Sequence, residues 1–158
     1  MAKVLMVYDS MYGNTEEIAN SIGGAIGGDV TVLRASEAGP SDLESINILV
    51  VGSPTHAFRP TKSIQKFIRS IPRGALKGID VAAFDTRMPA ADVGMGLRLL
   101  MKMGGYAAPR MANALKKKGG NLVVPPEGFF VKDKEGPLKE AELERAVNWA
   151  ERIVKSKE

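Results

Sequence analysis

A chain of 158 residues, 44% apolar and 25% charged, has the length and balance of one globular domain. With no cysteine and one histidine it excludes disulfides, thiolate-held clusters, a thiol nucleophile and a multi-histidine metal centre built within the chain. A net charge of +4 and a pI near 9.4 point to a solvated basic face or to anionic partners. Nucleic acid is the weaker of those partners, because aromatic residues make up only 6% and do not interleave with the cations.

Val4–Tyr8 is an apolar run of strand length. It ends in Asp9-Ser10-Met11-Tyr12-Gly13-Asn14-Thr15, and a helical pattern follows at once over Glu16–Ile26, with Ile18, Ile22, Ala25 and Ile26 on one face. Strand, glycine turn and helix start in that order aim main-chain N–H groups at one spot, which makes an anion site. Ser10 and Thr15 add hydroxyls, Asn14 an amide, and Gly13 the freedom to turn close to a ligand. The same residues admit a second reading, in which Ser10 or Asn14 only caps the helix. Gly23 and Gly24 inside that helix each cost about 1 kcal/mol relative to alanine, which close packing on a sheet would explain.

Asp29–Arg34 reads as a second strand, followed by a Pro/Ser turn and a brief helix near Ser41–Ser45. Ile46–Gly52 is almost continuously apolar, as strands buried on both faces are. Ile64, Phe67, Ile68 and Ile71 then form a helical stripe, and Asp80–Asp85 a fourth strand. Residues 89–105 read as a Met-rich insertion in which Val93, Leu97, Leu100 and Met101 share one helical face. A short core helix, a lid, a dimer contact and a partner groove all fit that stripe. Pro109 opens a helix with Met111, Ala114 and Leu115 inward, ending at Gly119-Gly120. Asn121–Val124 and Phe129–Val131 form a fifth strand broken by Pro125-Pro126, and Leu143, Ala146, Val147, Ala150, Ile153 and Val154 mark a last helix.

Strands and helices in alternation predict one α/β domain over residues 1–158, a doubly wound five-stranded parallel sheet of order 2-1-3-4-5 with helices on both faces. Its ligands belong at the carboxyl ends of the strands, around the switch between strands 1 and 3. No run is long enough to span a membrane and no signal-peptide pattern opens the sequence, so a cytoplasmic protein is expected.

The first turn has neither GxxxxGK[ST] nor GxGxxG spacing, which leaves a phosphate held by neutral donors. Ser10-Met11-Tyr12-Gly13-Asn14-Thr15 resembles the phosphate loop of the flavodoxin family, roughly S/T-x-T/Y-G-N/x-T after the first strand. The loops holding Pro54-Thr55-His56-Ala57-Phe58 and Asp85-Thr86-Arg87 resemble the two flavodoxin loops that hold the isoalloxazine. The likeness runs over nearly the whole chain. It implies an FMN-binding electron-transfer protein that meets redox partner proteins, acidic ones if its basic charge is their complement, as a monomer or homodimer, with no catalytic side chain and no metal. FMN-dependent NAD(P)H:quinone oxidoreductases share this fold and first loop and are the alternative. His56 reads either as a surface hydrogen-bonding residue or as a flavin contact that handles protons, and Phe58 either as flavin wall or as core. Asp85 is a strand-end cap or a ring neighbour, and Arg87 a surface cation or a ring neighbour. Three features depart from the family: no Tyr or Trp in the second ring loop, a basic balance, and the insertion. Arg59, Lys62 and Arg87 near the ring predict a less negative potential for the final reduction step than in an acidic flavodoxin.

Overall fold

The computed structural model describes residues 2–56, 59–89 and 106–156. Strands β1 (Lys3–Tyr8), β2 (Asp29–Arg34), β3 (Ile48–Pro54), β4 (Asp80–Arg87), β5 (Asn121–Leu122) and β6 (Glu127–Phe130) form one sheet, with helices α1 (Asn14–Ile26), α2 (Lys62–Ser70), α3 (Ala107–Lys117) and α4 (Glu142–Lys155) packed on it. Every ladder is parallel and the order is β2-β1-β3-β4-β5, as expected from the alternation. The fifth position is shared. Asn121 and Leu122 pair with Asp80 and Val81, and Glu127–Phe130 pair with Phe84–Arg87. Pro125-Pro126 falls in the gap between them, where the missing N–H groups break no ladder.

Side-chain alternation along the strands divides the core. Leu5, Val7, Leu49, Val51, Val81 and Ala83 pack under α2 and α3. Val4, Met6, Ile48, Val50, Ala82 and Phe84 pack under α1 and α4. Strands covered on both faces must be apolar at successive positions, which is why β1 and β3 read as unbroken apolar runs. On the α1/α4 face, Phe84, Phe129 and Trp149 meet edge to face at 5.9–6.1 Å between centroids. Phe84 lies over Gly52 so closely that a Cβ there would occupy the ring's space. Among the described residues, no helix is long and apolar enough to cross a membrane.

The elements differ from the sequence expectations at their ends. α1 starts at Asn14, because Gly13 at φ 93° closes the turn and its carbonyl accepts from Glu17 N–H at 3.0 Å. β4 continues two residues past Asp85, because β6 gives Thr86 and Arg87 a ladder. The brief helix is a 3₁₀ turn over Pro40–Leu43, and Pro109 sits in the first turn of α3, where its missing N–H costs nothing. A Cβ on Gly23 would stand 3.2 Å from Val32 Cγ2, so close packing on β2 accounts for that glycine. Nothing in the structure explains Gly24. The stripe expected between residues 90 and 105 lies outside the described residues.

One polar cluster fastens α4 to β6. Arg145 donates to Glu142 Oε1 (2.9 Å) and Oε2 (2.6 Å), to Glu127 Oε1 (3.2 Å) and to the Gly128 carbonyl (2.6 Å), while Phe130 N–H donates to Glu142 Oε2 (2.6 Å). Burial alone would raise the Glu142 pKa. The Arg145 hydrogen bonds, the Phe130 N–H and the Arg145 charge outweigh it and hold the carboxyl below the usual glutamate range. A depressed folded pKa stabilises the fold above the unfolded value, and that stabilisation is lost as pH falls through the folded value. Glu142→Gln should therefore cost about 1–3 kcal/mol at neutral pH, with the gap to the unmodified protein shrinking in acid. Urea unfolding at stepped pH checks this, and a gap that stays constant with pH would contradict it.

Candidate functional site

The turn between β1 and α1 is held in shape from within and from below. Ser10 Oγ accepts from the N–H groups of Gly13 (3.1 Å) and Glu16 (3.3 Å), and Ser10 N–H donates to Asp9 Oδ1 (2.9 Å). Arg34, on β2, donates to the Ser10 carbonyl (3.3 Å) and to Glu16 Oε2 (3.1 Å), and the Tyr8 hydroxyl donates to that same carboxylate oxygen (2.6 Å). Ser10 thus performs the capping role of the second reading with its oxygen, and its hydroxyl proton is left to donate. Among the described residues, the N–H groups of Met11, Tyr12, Asn14 and Thr15 have no hydrogen-bond acceptor. Two of these, Asn14 and Thr15, are first-turn donors at the positive end of the α1 dipole. The Asn14 side chain turns elsewhere: its amide donates to the Glu135 carbonyl (3.2 Å) and latches the turn after β6 against this loop.

Three loops meet here at the carboxyl ends of β1, β3 and β4. Thr15 Oγ1 and Thr86 Oγ1 share a hydrogen bond of 2.8 Å, and Thr55 N–H donates to the Thr86 carbonyl at 3.0 Å. His56 and Arg59 exchange both main-chain hydrogen bonds (2.8 and 3.0 Å), which closes the loop after β3 on itself and leaves the imidazole exposed. Ala57 and Phe58, at the tip of that loop, lie outside the described residues. The resulting cleft is lined by Ser10, Met11, Tyr12, Asn14 and Thr15 from the first loop, Pro54, Thr55 and His56 from the second, and Thr86 and Arg87 from the third. Gly13 shapes the first loop without lining the cleft.

Asp85 does not line the cleft. Its carboxylate is fully buried and takes a forked ion pair from Arg87, Nε to Oδ1 at 2.6 Å and Nη2 to Oδ2 at 2.8 Å, together with the Ala108 N–H at 2.8 Å. Burial pushes this carboxyl above its usual range, while Arg87, the Ala108 N–H and the Thr55 hydroxyl pull it back. Asp85 anchors Arg87 and the start of α3. Arg87 in turn is no free cation. Its guanidinium lies 3.6 Å from the centre of the Tyr106 ring and passes where a Cβ on Gly128 would stand. Of the three cations expected to act on the ring's potential, one is already matched by a buried carboxylate.

Met88, Val131 and Lys134 also line the cleft and were not expected from the sequence. Val131 and Lys134 follow β6, whose carboxyl end emerges beside Arg87 because β6 pairs with the last half of β4. The rule that put the first three loops at the strand ends extends to this fourth one. Tyr106 was missed for a different reason: no sequence period links it to Arg87. Among the described lining residues there is one imidazole, no carboxylate, and two cations, Arg87 and Lys134. Such a lining offers hydroxyl, amide and cationic groups to an anionic ligand.

A parallel sheet of this order, with a cleft at the β1/β3 switch, defines a doubly wound α/β protein. Residues 5–130 match the family model described as Flavodoxin domain, and the chain belongs to that family. It is similar in structure to oxidised Flavodoxin 1 from Bacillus cereus (20% identity, TM-score 0.77, 98% of each chain covered). It is equally similar to a short-chain flavodoxin associated with a non-canonical PDU bacterial microcompartment (20% identity, TM-score 0.78, 100% of each chain). A WrbA-like flavodoxin from Agrobacterium tumefaciens aligns at 16% identity and TM-score 0.74 over 99% and 98% of the two chains. By sequence it is 32% identical over 111 residues to an NAD(P)H dehydrogenase (quinone) of Azorhizobium caulinodans, a match covering 53% of this chain and 56% of that one. The chain thus spans about half the length of that curated relative.

Proposed function

We propose that the cleft binds FMN by its phosphate end and that the protein carries electrons between partner proteins. One observation carries the reading: four main-chain N–H groups with no acceptor among the described residues surround a left-handed glycine at a helix start, with the hydroxyls of Ser10 and Thr15 beside them. That donor set suits a phosphate ester and offers little to a triphosphate, which needs a lysine inside the loop. Pro54, Thr55, His56, Thr86, Arg87 and Met88 are the residues that would flank the ring, and Asn14 with Glu135 would close the loop behind the phosphate. Bound FMN would supply the one- and two-electron chemistry that this cysteine-free chain lacks. The protein's own part is to hold, orient and dry the group. Arg34 and Glu16 keep the Ser10 turn in place, the Thr15–Thr86–Thr55 contacts keep the three loops at fixed spacing, and Met11 and Tyr12, exposed at 53% and 45%, present an apolar rim to whatever approaches.

A second reading, an FMN-dependent NAD(P)H:quinone oxidoreductase, is favoured by the 32% identical relative. Absorption spectra of the purified protein after FMN addition and desalting test the first step; a protein that retains no flavin defeats both readings. If flavin is retained, oxidation of NADH or NADPH with a quinone separates them. No turnover beside reversible dithionite reduction is the expected result, and rapid turnover would replace the carrier with the enzyme.

A further inference from the structure

The positive charge of this protein is gathered on one side. All 18 Asp and Glu lie outside residues 59–79 and 106–126, while ten of the 22 Lys and Arg lie inside them. Those two segments carry α2 and α3, which cover one face of the sheet. Between the two helices runs a groove with Arg59, Arg69 and Arg110 along its rim and Ile68, Met111 and Ala114 in its floor. Among the described residues no carboxylate pairs with any of the three arginines. Arg69 is held in place by Gln65, whose Oε1 accepts from its Nη2 at 3.3 Å while its own Nε2 donates to the Pro60 carbonyl at 2.8 Å. The groove is also tied to the cofactor cleft. Arg59, on the groove's rim, is hydrogen-bonded twice through its main chain to His56, which lines the cleft.

We propose that this groove is the docking site for an acidic segment of a protein partner. A row of arginines over an apolar floor offers forked hydrogen bonds to carboxylates and a dry seat for the aliphatic part of a glutamate or for an apolar neighbour. A merely solvated face would need no such floor. Neither helix carries an acidic residue that would compete for the arginines or repel an approaching anion. A partner seated there would lie one loop away from the proposed FMN ring. The role given to the partner, electron donor or acceptor, rests on the FMN reading; the docking does not.

The probe is an oligoglutamate peptide titrated into the full-length protein at low salt, followed by amide chemical shifts. Shifts are expected at Gln65, Arg69, Arg110 and Ala114 and not along α1 or α4, with affinity falling steeply as salt is raised. Arg69→Glu with Arg110→Glu should weaken the peptide at least about tenfold, whereas Lys116→Glu with Lys117→Glu, the same charge change beyond the groove, should cost less than about threefold. Shifts elsewhere, no binding, or equal losses in both double variants would overturn the proposal. Tighter binding of a single-stranded oligonucleotide of equal charge would assign the surface to nucleic acid instead. FMN titration of the Arg69→Glu/Arg110→Glu variant is expected to match the unmodified protein. In the unmodified protein, no peptide binding with FMN bound defeats only the docking site, and no FMN binding with peptide bound defeats only the cofactor reading.

Discussion

Replacing Arg87 with methionine should destabilise the fold by about 3–5 kcal/mol, the range found when one partner of a buried ion pair is removed. The reason is Asp85. With the guanidinium gone, a carboxylate with no exposed surface keeps the Ala108 N–H and loses its forked partner. The loss should appear as a lower midpoint in guanidinium unfolding at unchanged slope. Asp85→Asn added to Arg87→Met should recover much of it, because the uncompensated charge is then absent, whereas Asp85→Asn alone leaves Arg87 without its partner. Arg87→Lys should rescue only in part, since an ammonium cannot fork across both oxygens or lie flat on Tyr106. A cost below about 1 kcal/mol for Arg87→Met would mean that the pair is solvated and that Asp85 is not the anchor described above.

Gly13→Val should weaken FMN by about 10–100-fold while changing riboflavin affinity by less than about threefold. At φ 93° a β-branched residue is strained by about 1–3 kcal/mol, and the turn relieves that strain by rotating its N–H groups off their common target. Only FMN has a phosphate to feel the change, and 1.4 kcal/mol is a factor of ten in affinity. Thr15→Val should act in the same direction, because it removes a hydroxyl from the loop and from the contact with Thr86. Calorimetric or fluorescence titration with the two ligands in parallel reads the difference. Equal losses for both would show that the loop does not hold the phosphate.

The parts of the site that were legible in the sequence are those built by neighbours in the chain. Ser10–Thr15 could be read as an anion turn because the N–H groups of a turn and a helix start converge whatever surrounds them. The Asp85–Arg87 relation was half legible. Residues two apart on a strand face the same way, but the expectation that β4 ended at Asp85 placed them in a loop, and only β6 prolongs the strand through Arg87. Lys134 and Val131 escaped notice because the diproline concealed that β5 and β6 occupy one position in the sheet. The cationic stretches were visible as a list of residues, yet a list has no face. The packing of α2 beside α3 turned them into a groove.

Alone, the order of residues determined the α/β alternation, the two-sided burial of β1 and β3 and the glycine turn before α1, since each follows from local geometry and from the spacing of apolar side chains. Tertiary structure decided which segments meet: Asn14 with Glu135, Thr15 with Thr86, Asp85 with Ala108, Arg87 with Tyr106, Arg69 with Arg110 across one groove. Such pairings join residues distant along the chain, and their partners are set by strand order and register, quantities that no short window of sequence contains.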